Sequence, residues 1–300
     1  MLQTIHRSRK RGIFFILLAM LIFALLNAII KDSTAHYHPI QIVFFTCFFS
    51  AVPAACFLII RGEWLLPRST EWKIHFKRAG LLAIGLSILF LGMSMLPLAN
   101  SMALYFSSTF FLVILSRPIL SEKVDLAQWV AVAVGFVGVL IVAKPNSVVF
   151  NWGTLLMIAG AFMESSYNLY GRLLSSTYNN FMLTFLGTLL PALVILSVLP
   201  FVWITPNLEG WIILVFLGLG SGLAQLCVTF AYRYAPAGVL SPMIYSAMLW
   251  SVILDITYYG NWPTISLILG SGIIITSGLM ILIYEKKNVK TQLELLQANA

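Results

Sequence analysis

Long apolar runs dominate this chain of 300 residues and constrain its fold more than any other feature. A helix that crosses a bilayer needs about 20 consecutive apolar residues, and runs of this kind recur along most of the sequence. Hydrophobic residues make up 60% of the chain and charged residues 9%, and the mean hydropathy is +0.95. A transmembrane barrel would instead show short runs of alternating apolar and polar residues. The pattern therefore predicts an all-α polytopic membrane protein.

Ten transmembrane helices are predicted, separated by short loops that contain proline or glycine. The predicted spans are Gly12–Ile30, Pro39–Ile60, Ala79–Leu96, Ala99–Leu120, Ala127–Ala143, Trp152–Gly171, Asn180–Val202, Trp211–Tyr232, Ala237–Tyr259 and Thr264–Tyr284. The basic start of the chain resembles that of a signal peptide, but the apolar run after it is too long and lacks a convincing small-residue cleavage site. We therefore treat this run as the first span.

The positions of lysine and arginine predict the orientation of these spans. With a cytoplasmic N-terminus, Lys31 and Lys144 are the basic residues assigned to outer loops, and every other Lys and Arg falls in an inner segment. Cytoplasmic loops of membrane proteins carry this excess, so both termini are expected in the cytoplasm. The net charge of +8 is then explained by topology. No nucleic-acid partner is indicated, because no basic run is interleaved with exposed aromatic residues.

The two halves of the chain align with each other. An offset of 141 places Gly12 on Gly153 and Asn27 on Asn168, and an offset of 138 places Ala99 on Ala237. Five spans fall in each half, so the second half would enter the membrane from the opposite side, as in inverted-repeat transporters. The predicted organisation is a basic cytoplasmic N-terminus (1–11), a first five-helix repeat (12–145), a second five-helix repeat (146–285) and a cytoplasmic tail (286–300).

The sixth predicted span carries an acid near its middle. A charge at the centre of a bilayer costs roughly 2.5–3.5 kcal/mol on insertion scales, so Glu164 needs a compensating environment. At helical spacing, Tyr167, Asn168 and small residues share its face. This polar stripe predicts that Glu164 faces a wet cavity between helices. The alternative is a protonated Glu164 that is hydrogen-bonded to Ser165 or to a neighbouring backbone group and serves only helix packing.

Polar residues inside other predicted spans complete a candidate site. We expect the following residues to bind substrate: Glu164, Tyr167, Asn168, Gln225, Ser221, Thr229, Asp255, Asn27, Tyr105 and Thr109. Asn168 and Gln225 could instead form interhelical hydrogen bonds, and the tyrosines are also typical of membrane interfaces.

Catalysis and metal binding are not indicated. No histidine lies within a predicted span, and none of the familiar hydrolase, metalloprotease or phosphate-binding motifs occurs. Cys47, Cys56 and Cys227 all lie in apolar runs and resemble small buried hydrophobic residues. We therefore expect no enzyme, no cofactor and no metal site.

Two segments resemble the corresponding parts of a known family. They are PLANSMALYFSSTFFLVILSRPILSEKVDLAQWVAVAVGFVGVLIV in the first half and APAGVLSPMIYSAMLWSVILDITYYGNWPTISLILGSGIIITSG in the second. With the layout of five plus five helices, they are similar to EamA-type members of the drug/metabolite transporter superfamily. The resemblance implies a basket of helices in which the first, third, fourth, sixth, eighth and ninth surround a central cavity. The chain departs from the family at Thr46, where an arginine is frequent, and at Gly260, the counterpart of the acidic Glu122.

The resemblance implies a secondary transporter that moves a small polar organic metabolite through the lipid bilayer by alternating access. Candidate substrates are amino acids, amino-acid derivatives and nucleoside-like compounds; S-adenosylmethionine is included on family precedent. Glu164 would pair with a cationic group of the substrate or carry a coupling proton, and a facilitator or exchanger stays open. Compact loops and the absence of glycosylation sequons favour a bacterial inner membrane. The alternative is a non-transporting scaffold or partner subunit, and no particular oligomeric state is indicated.

Overall fold

Helices account for the regular structure of the residues that the computed structural model describes, which are 2–62, 67, 71–121, 124–143 and 152–298. Twelve α-helices and one 3-10 turn occur in these residues. The helices are α1 (Leu2–Ser33), α2 (Pro39–Arg61), α3 (Trp72–Ser94), α4 (Leu98–Tyr105), α5 (Ser108–Leu120), α6 (Leu126–Ala143), α7 (Trp152–Leu174), α8 (Asn180–Leu196), α9 (Leu208–Tyr234), α10 (Ala237–Ile244), α11 (Ser246–Thr257) and α12 (Ile265–Ala298). Glu122, Lys144 and Pro145, which the sequence places near loops and the repeat boundary, lie outside the described residues.

Seven segments of the described chain are long and apolar enough to cross a membrane. They are Arg9–Ser33, Pro39–Arg61, Trp72–Ser94, Leu98–Leu120, Leu126–Ala143, Leu208–Tyr234 and Ile265–Tyr284. The helix α7 is 23 residues long but less apolar, because Glu164, Tyr167 and Asn168 lie within it. Shorter apolar helices cover Asn180–Leu196 and Pro242–Thr257. The predicted all-α, multi-pass membrane class is confirmed.

Two of the predicted spans are interrupted. The predicted spans Ala99–Leu120 and Ala237–Tyr259 each contain two consecutive helices, because the chain turns at Phe106–Ser107 and at Tyr245. At the first turn, the amide of Ser107 donates to the carbonyl of Leu104, three residues back, at 3.0 Å. This tighter bonding replaces the regular α-helical pattern over one turn. The rings of Phe106 and Tyr245 meet with their centroids 4.9 Å apart, so the two turns face each other.

Side chains of the loops determine where several helices begin. Asn179 accepts a hydrogen bond from the amide of Met182 at 2.8 Å at the start of α8, and Asn207 accepts one from the amide of Gly210 at 2.8 Å at the start of α9. Asparagine is favoured at this position because its side-chain oxygen satisfies an amide that has no partner within the helix. Gly62 ends α2 with φ 64°, a conformation that glycine adopts without a Cβ clash.

Close helix packing surrounds the centre of the molecule. The helix α1 packs along α9, α3 along α7, α2 along α8 and α9, and α6 along α12. At the α6–α12 contact, a Cβ added to Gly138 would lie 2.8 Å from the carbonyl oxygen of Gly270. Small residues permit this approach in membrane helices, where packing replaces the hydrophobic effect as the driving force. The outer face of α6 exposes apolar residues such as Val134 and Val137, as a lipid-facing helix should.

Candidate functional site

A cavity of about 580 Å³ lies between the helices and has the size of a small-molecule site. Residues of α1, α2, α3, α4, α7, α8, α9, α10 and α11 line it. The helices α2 and α8 belong to the second and seventh predicted spans, so the expected ring of six lining helices was incomplete. Three of the described lining residues are charged: Arg78, Glu164 and Arg172.

Glu164 lies in the cavity wall as part of α7. The hydroxyl of Tyr105, on α4, donates a hydrogen bond of 2.6 Å to its Oε1. The hydroxyl of Ser165, one of the two partners that the packing alternative named, lies instead 2.8 Å from the carbonyl oxygen of Ser108 and 2.6 Å from that of Ala161. One helical turn away, Tyr167 and Asn168 also line the cavity. The arrangement offers a substrate one hydrogen-bonded carboxyl group and an aromatic ring.

The guanidinium of Arg78, on α3, lies over the ring of Tyr167 with its Cζ 4.1 Å from the ring centroid. Its Nε donates to the carbonyl oxygen of Tyr167 at 3.4 Å, and its Nη1 donates to that of Leu183 at 3.1 Å. Arg78 is 7% exposed and lines the cavity. The site therefore contains a buried positive charge as well as an acid.

Polar residues of α9 and α1 lie in other parts of the cavity wall. Ser221, Gln225 and Thr229 recur on one face of α9 and all line the cavity. The hydroxyl of Thr229 donates to the carbonyl oxygen of Gln225 at 3.0 Å. From α1, the amide of Asn27 lies 3.5 Å from the sulfur of Met102. The structure thus brings eight of the ten candidate residues to one cavity.

Asp255 is a candidate that lies away from the cavity lining. It is 3% exposed, and its carboxylate accepts hydrogen bonds from the amides of Leu98 at 3.1 Å and Ala99 at 2.6 Å. These are the first amides of α4, so Asp255 of α11 acts as the N-terminal cap of a helix that is distant in sequence. Thr109 is the other candidate outside the lining, and its side chain is hydrogen-bonded to Tyr245.

The two ends of the cavity differ. At one end, the lining residues Arg172, Ser175 and Asn180 are exposed. Beyond the other end, Lys31 donates to the carbonyl oxygen of Leu96 at 2.5 Å and lies 4.9 Å from the centroid of the Tyr259 ring.

The hydroxyl of Tyr259 in turn lies 2.8 Å from Oδ1 of Asp32. Together with the Asp255 cap, these contacts join α1, the α3–α4 loop and the region after α11. We call Lys31, Asp32, Asp255 and Tyr259 the end cluster.

Sequence reasoning missed several lining residues. Arg78 was counted as an inner-loop charge, because Lys73 and Lys77 precede it, yet it lies inside α3. A helix start at Trp72 would have identified it, but the apolar run itself begins only at Ala79. Thr46 also lines the cavity, and its buried hydroxyl has no hydrogen-bond partner among the described residues. Thr184 and Thr188 extend the polar wall along α8.

A family model described as the EamA-like transporter family matches residues 10–144 and 151–283 of this chain. The chain belongs to this family. The predicted resemblance is therefore confirmed, and with it membership of the drug/metabolite transporter superfamily. The names of the family and of its relatives indicate transport and not catalysis.

Relatives named as transporters match nearly the whole EamA-like chain. The S-adenosylmethionine uptake transporter of Rickettsia prowazekii (strain Madrid E) is 25% identical over 288 residues, covering 96% of this chain and 98% of its own. The riboflavin transporter of Vibrio cholerae serotype O1 is 29% identical over 300 residues, covering 97% of this chain and 99% of its own. These names describe two different metabolites, and both identify small-molecule transporters.

A solved crystal structure has a similar fold. It matches the chain with a TM-score of 0.64 and 17% sequence identity, covering 91% of this chain and 97% of its own. At this identity, the likeness supports the fold alone.

Proposed function

We propose that this EamA-like protein is a secondary transporter that moves a small polar organic metabolite across a bacterial inner membrane by alternating access. The observation that carries the proposal is the cavity that contains Glu164. Its carboxyl group is hydrogen-bonded to Tyr105 and lines a space of about 580 Å³ that has exposed polar residues at one end. An acid within a membrane-spanning helix is costly in contact with lipid. Such residues usually face a cavity and mark the pathway of a polar solute or an ion.

The arrangement of helices supports two inverted repeats that correspond to the two predicted halves of the chain. If the pair α4/α5 is the fourth span and the pair α10/α11 the ninth, then α1 packing on α9 corresponds to α7 packing on α3. Pro97 precedes α4 and Pro236 precedes α10 with similar extended backbone angles. The interruptions at Phe106 and Tyr245 occupy matching places in the two halves. Two such repeats can rock against each other around a shared central site.

The placement of basic residues favours both termini in the cytoplasm. With this orientation, the exposed end of the cavity near Arg172 and Asn180 faces the cytoplasm, and the end cluster faces the opposite side. The described conformation then corresponds to an inward-facing state, in which the end cluster closes the outer end. Alternating access requires that these contacts break when the outer end opens.

The proposed substrate is an amino acid, an amino-acid derivative or a nucleoside-like compound such as S-adenosylmethionine. The names of the Rickettsia and Vibrio relatives support metabolites of this size. We propose that Glu164 either pairs with a cationic group of the substrate or carries the coupling proton. Tyr105 and Tyr167 would contribute stacking or cation–π contacts to such a group.

Counterflow in proteoliposomes tests the proposal. Vesicles containing the purified protein are loaded with one unlabelled candidate metabolite, and entry of the same labelled compound is measured. We expect transient accumulation for a member of the panel, including S-adenosylmethionine and riboflavin, and none in protein-free vesicles. Glu164→Gln should abolish transport of a cationic substrate or remove its dependence on pH. Glu209→Gln, at an exposed position outside the cavity, is the matched control.

Failure of folded wild-type protein to accumulate any compound across a broad metabolite panel would favour the scaffold alternative. Transport by Glu164→Gln with unchanged substrate affinity and unchanged pH profile would remove the proposed role of Glu164 while leaving the transporter proposal in place.

A further inference from the structure

The proposed role of Glu164 does not explain the positive charge of Arg78 in the cavity wall. Arg78 lies in this wall with 7% of its surface exposed. The described residues provide it with no carboxylate partner: its polar contacts are the carbonyl groups of Tyr167 and Leu183 and the side chain of Tyr167, whose ring it also covers. A buried charge without a counter-ion is strongly unfavourable. Such a residue in a cavity wall is suited to bind an anionic group of a ligand.

The guanidinium has donors left for a ligand. Its Nε and Nη1 each donate one hydrogen bond to a carbonyl oxygen, and its side chain is also hydrogen-bonded to that of Tyr167. Arginine carries five N–H donors in a planar fork, which matches the two oxygens of a carboxylate. Only part of this donor capacity is used within the described protein.

The surroundings of Arg78 hold the fork in one place. The guanidinium lies over the ring of Tyr167, and two glycines leave room for it at the contact of α3 with α7 and α8. A Cβ at Gly171 would lie 3.0 Å from Nη2, and a Cβ at Gly187 would lie 3.0 Å from Nη1. Any larger residue at either position would crowd the guanidinium. A donor group that is fixed in this way loses little entropy when an anion binds.

The positive and negative charges of the cavity lie at different heights. Arg78 contacts α7 at Tyr167 and Gly171, three and seven residues after Glu164. At about 1.5 Å per residue, this corresponds to roughly 5–10 Å along the helix axis. Glu164 is hydrogen-bonded to Tyr105, and no ion pair joins it to Arg78 in the described structure. Arg78 and Glu164 thus present two separated charges of opposite sign in the cavity wall, and the third charged lining residue, Arg172, lies at the exposed end.

We propose that Arg78 binds the carboxylate of a zwitterionic substrate whose cationic centre, several bonds away, faces Glu164. This inference rests on the proposed transport function and narrows its substrate class. The ammonium and carboxylate groups on the α-carbon of an amino acid are too close together to contact Glu164 and Arg78 at the same time. Amino-acid derivatives with a remote sulfonium, guanidinium or ammonium group fit the separation, and a neutral flavin does not use either charge.

Matched pairs of compounds test the proposal in the wild-type protein. S-adenosylmethionine is compared with its decarboxylated form, and arginine with agmatine, so that each pair differs by the carboxylate. S-adenosylhomocysteine keeps the carboxylate and lacks the sulfonium charge. We expect competition for transport to be stronger for the carboxylate-bearing member of a pair, and to be weakened by loss of the remote cation.

Variants at position 78 separate binding from packing. Arg78→Gln should weaken the affinity for the carboxylate-bearing compound by about 10- to 150-fold, the range expected for one charged hydrogen-bonded contact. The affinity for the decarboxylated partner should change little, whereas a purely structural role would weaken both. Arg78→Lys keeps the charge without the fork and should lie between. Lys77→Gln, at the neighbouring exposed position outside the cavity lining, is the control.

The outcomes are distinguishable. Riboflavin transport that neither S-adenosylmethionine nor arginine inhibits would overturn the Arg78 proposal and leave the transporter proposal standing. Equal affinity for both members of each pair in wild-type protein would also overturn it, even if no position-78 variant folds. Absence of transport of every compound would end both proposals.

Discussion

Replacing Asp255 with asparagine tests whether the end cluster holds one end of the cavity closed. The carboxylate accepts two hydrogen bonds, at 3.1 Å from the amide of Leu98 and at 2.6 Å from that of Ala99, at a site that is 3% exposed. Asparagine keeps one acceptor oxygen and turns an amide donor toward the other N–H group. The expected loss is therefore one hydrogen bond to a charged group, about 1.5–3 kcal/mol.

Loss of this hydrogen bond destabilises the conformation in which α11 contacts the start of α4. If that contact breaks when the outer end opens, the equilibrium between closed and open forms shifts by about 10- to 150-fold toward the open form. A cysteine introduced at Ser221, which lines the cavity, reports the change after the native cysteines have been replaced. Its labelling by a membrane-impermeant maleimide from the outer side of oriented vesicles should accelerate in Asp255→Asn.

The exposed substitution Glu209→Gln is the control for a change in carboxylate number. Unfolding in detergent provides a second measurement, because the thermal midpoint should fall if the cap stabilises the fold. A lower midpoint with unchanged outer labelling would show that the Asp255 cap is independent of opening. An unchanged midpoint together with unchanged labelling would refute the magnitude that we assign to the cap.

Three further changes probe single contacts. Tyr105→Phe removes the 2.6 Å hydrogen bond that positions Glu164, and we expect the affinity for a cationic substrate, measured by competition, to fall by about 5-fold to 10-fold. An unchanged affinity would show that this hydrogen bond does not contribute to binding. Thr46→Val removes a buried hydroxyl without a described partner, so the free energy of unfolding should rise by about 1–2 kcal/mol; a lower value would mean that the hydroxyl is bonded in the working protein. Gly138→Ala places a Cβ 2.8 Å from a carbonyl oxygen of α12 and should destabilise the protein by about 1–3 kcal/mol, whereas Gly272→Ala meets no atom within 4 Å and is its control; equal midpoints for the two would contradict the close α6–α12 approach.

Much of the candidate site could be predicted because one face of α7 carries its polar residues together. Glu164, Tyr167 and Asn168 recur at helical spacing within an apolar run, and all three line the cavity. The same reasoning identified Ser221 and Gln225 on α9. Periodicity within one helix identifies a polar face, and in a membrane such a face needs protein or water beside it.

Other contacts arise from helices that are far apart in sequence. Asp255 shares a helical stripe with other polar residues, but its partners are amides 156 and 157 residues earlier, so its capping role has no local signal. In the sequence, Arg78 resembles a loop charge. The ring and the carbonyl groups that surround it belong to α7 and α8, which are distant in sequence. The interruption at Phe106 has no proline within α4 to predict it.

The sequence by itself determined that this protein is a helical membrane protein with a polar stripe on α7, because hydropathy and helical spacing are properties of short segments. The tertiary structure decided which polar groups share the cavity, which of them cap a helix, and that Arg78 and Glu164 lie apart without forming an ion pair. The physical reason is that the cost of burying a charge or an amide depends on the atoms around it. In this protein, those atoms come from helices that only the folded chain brings together.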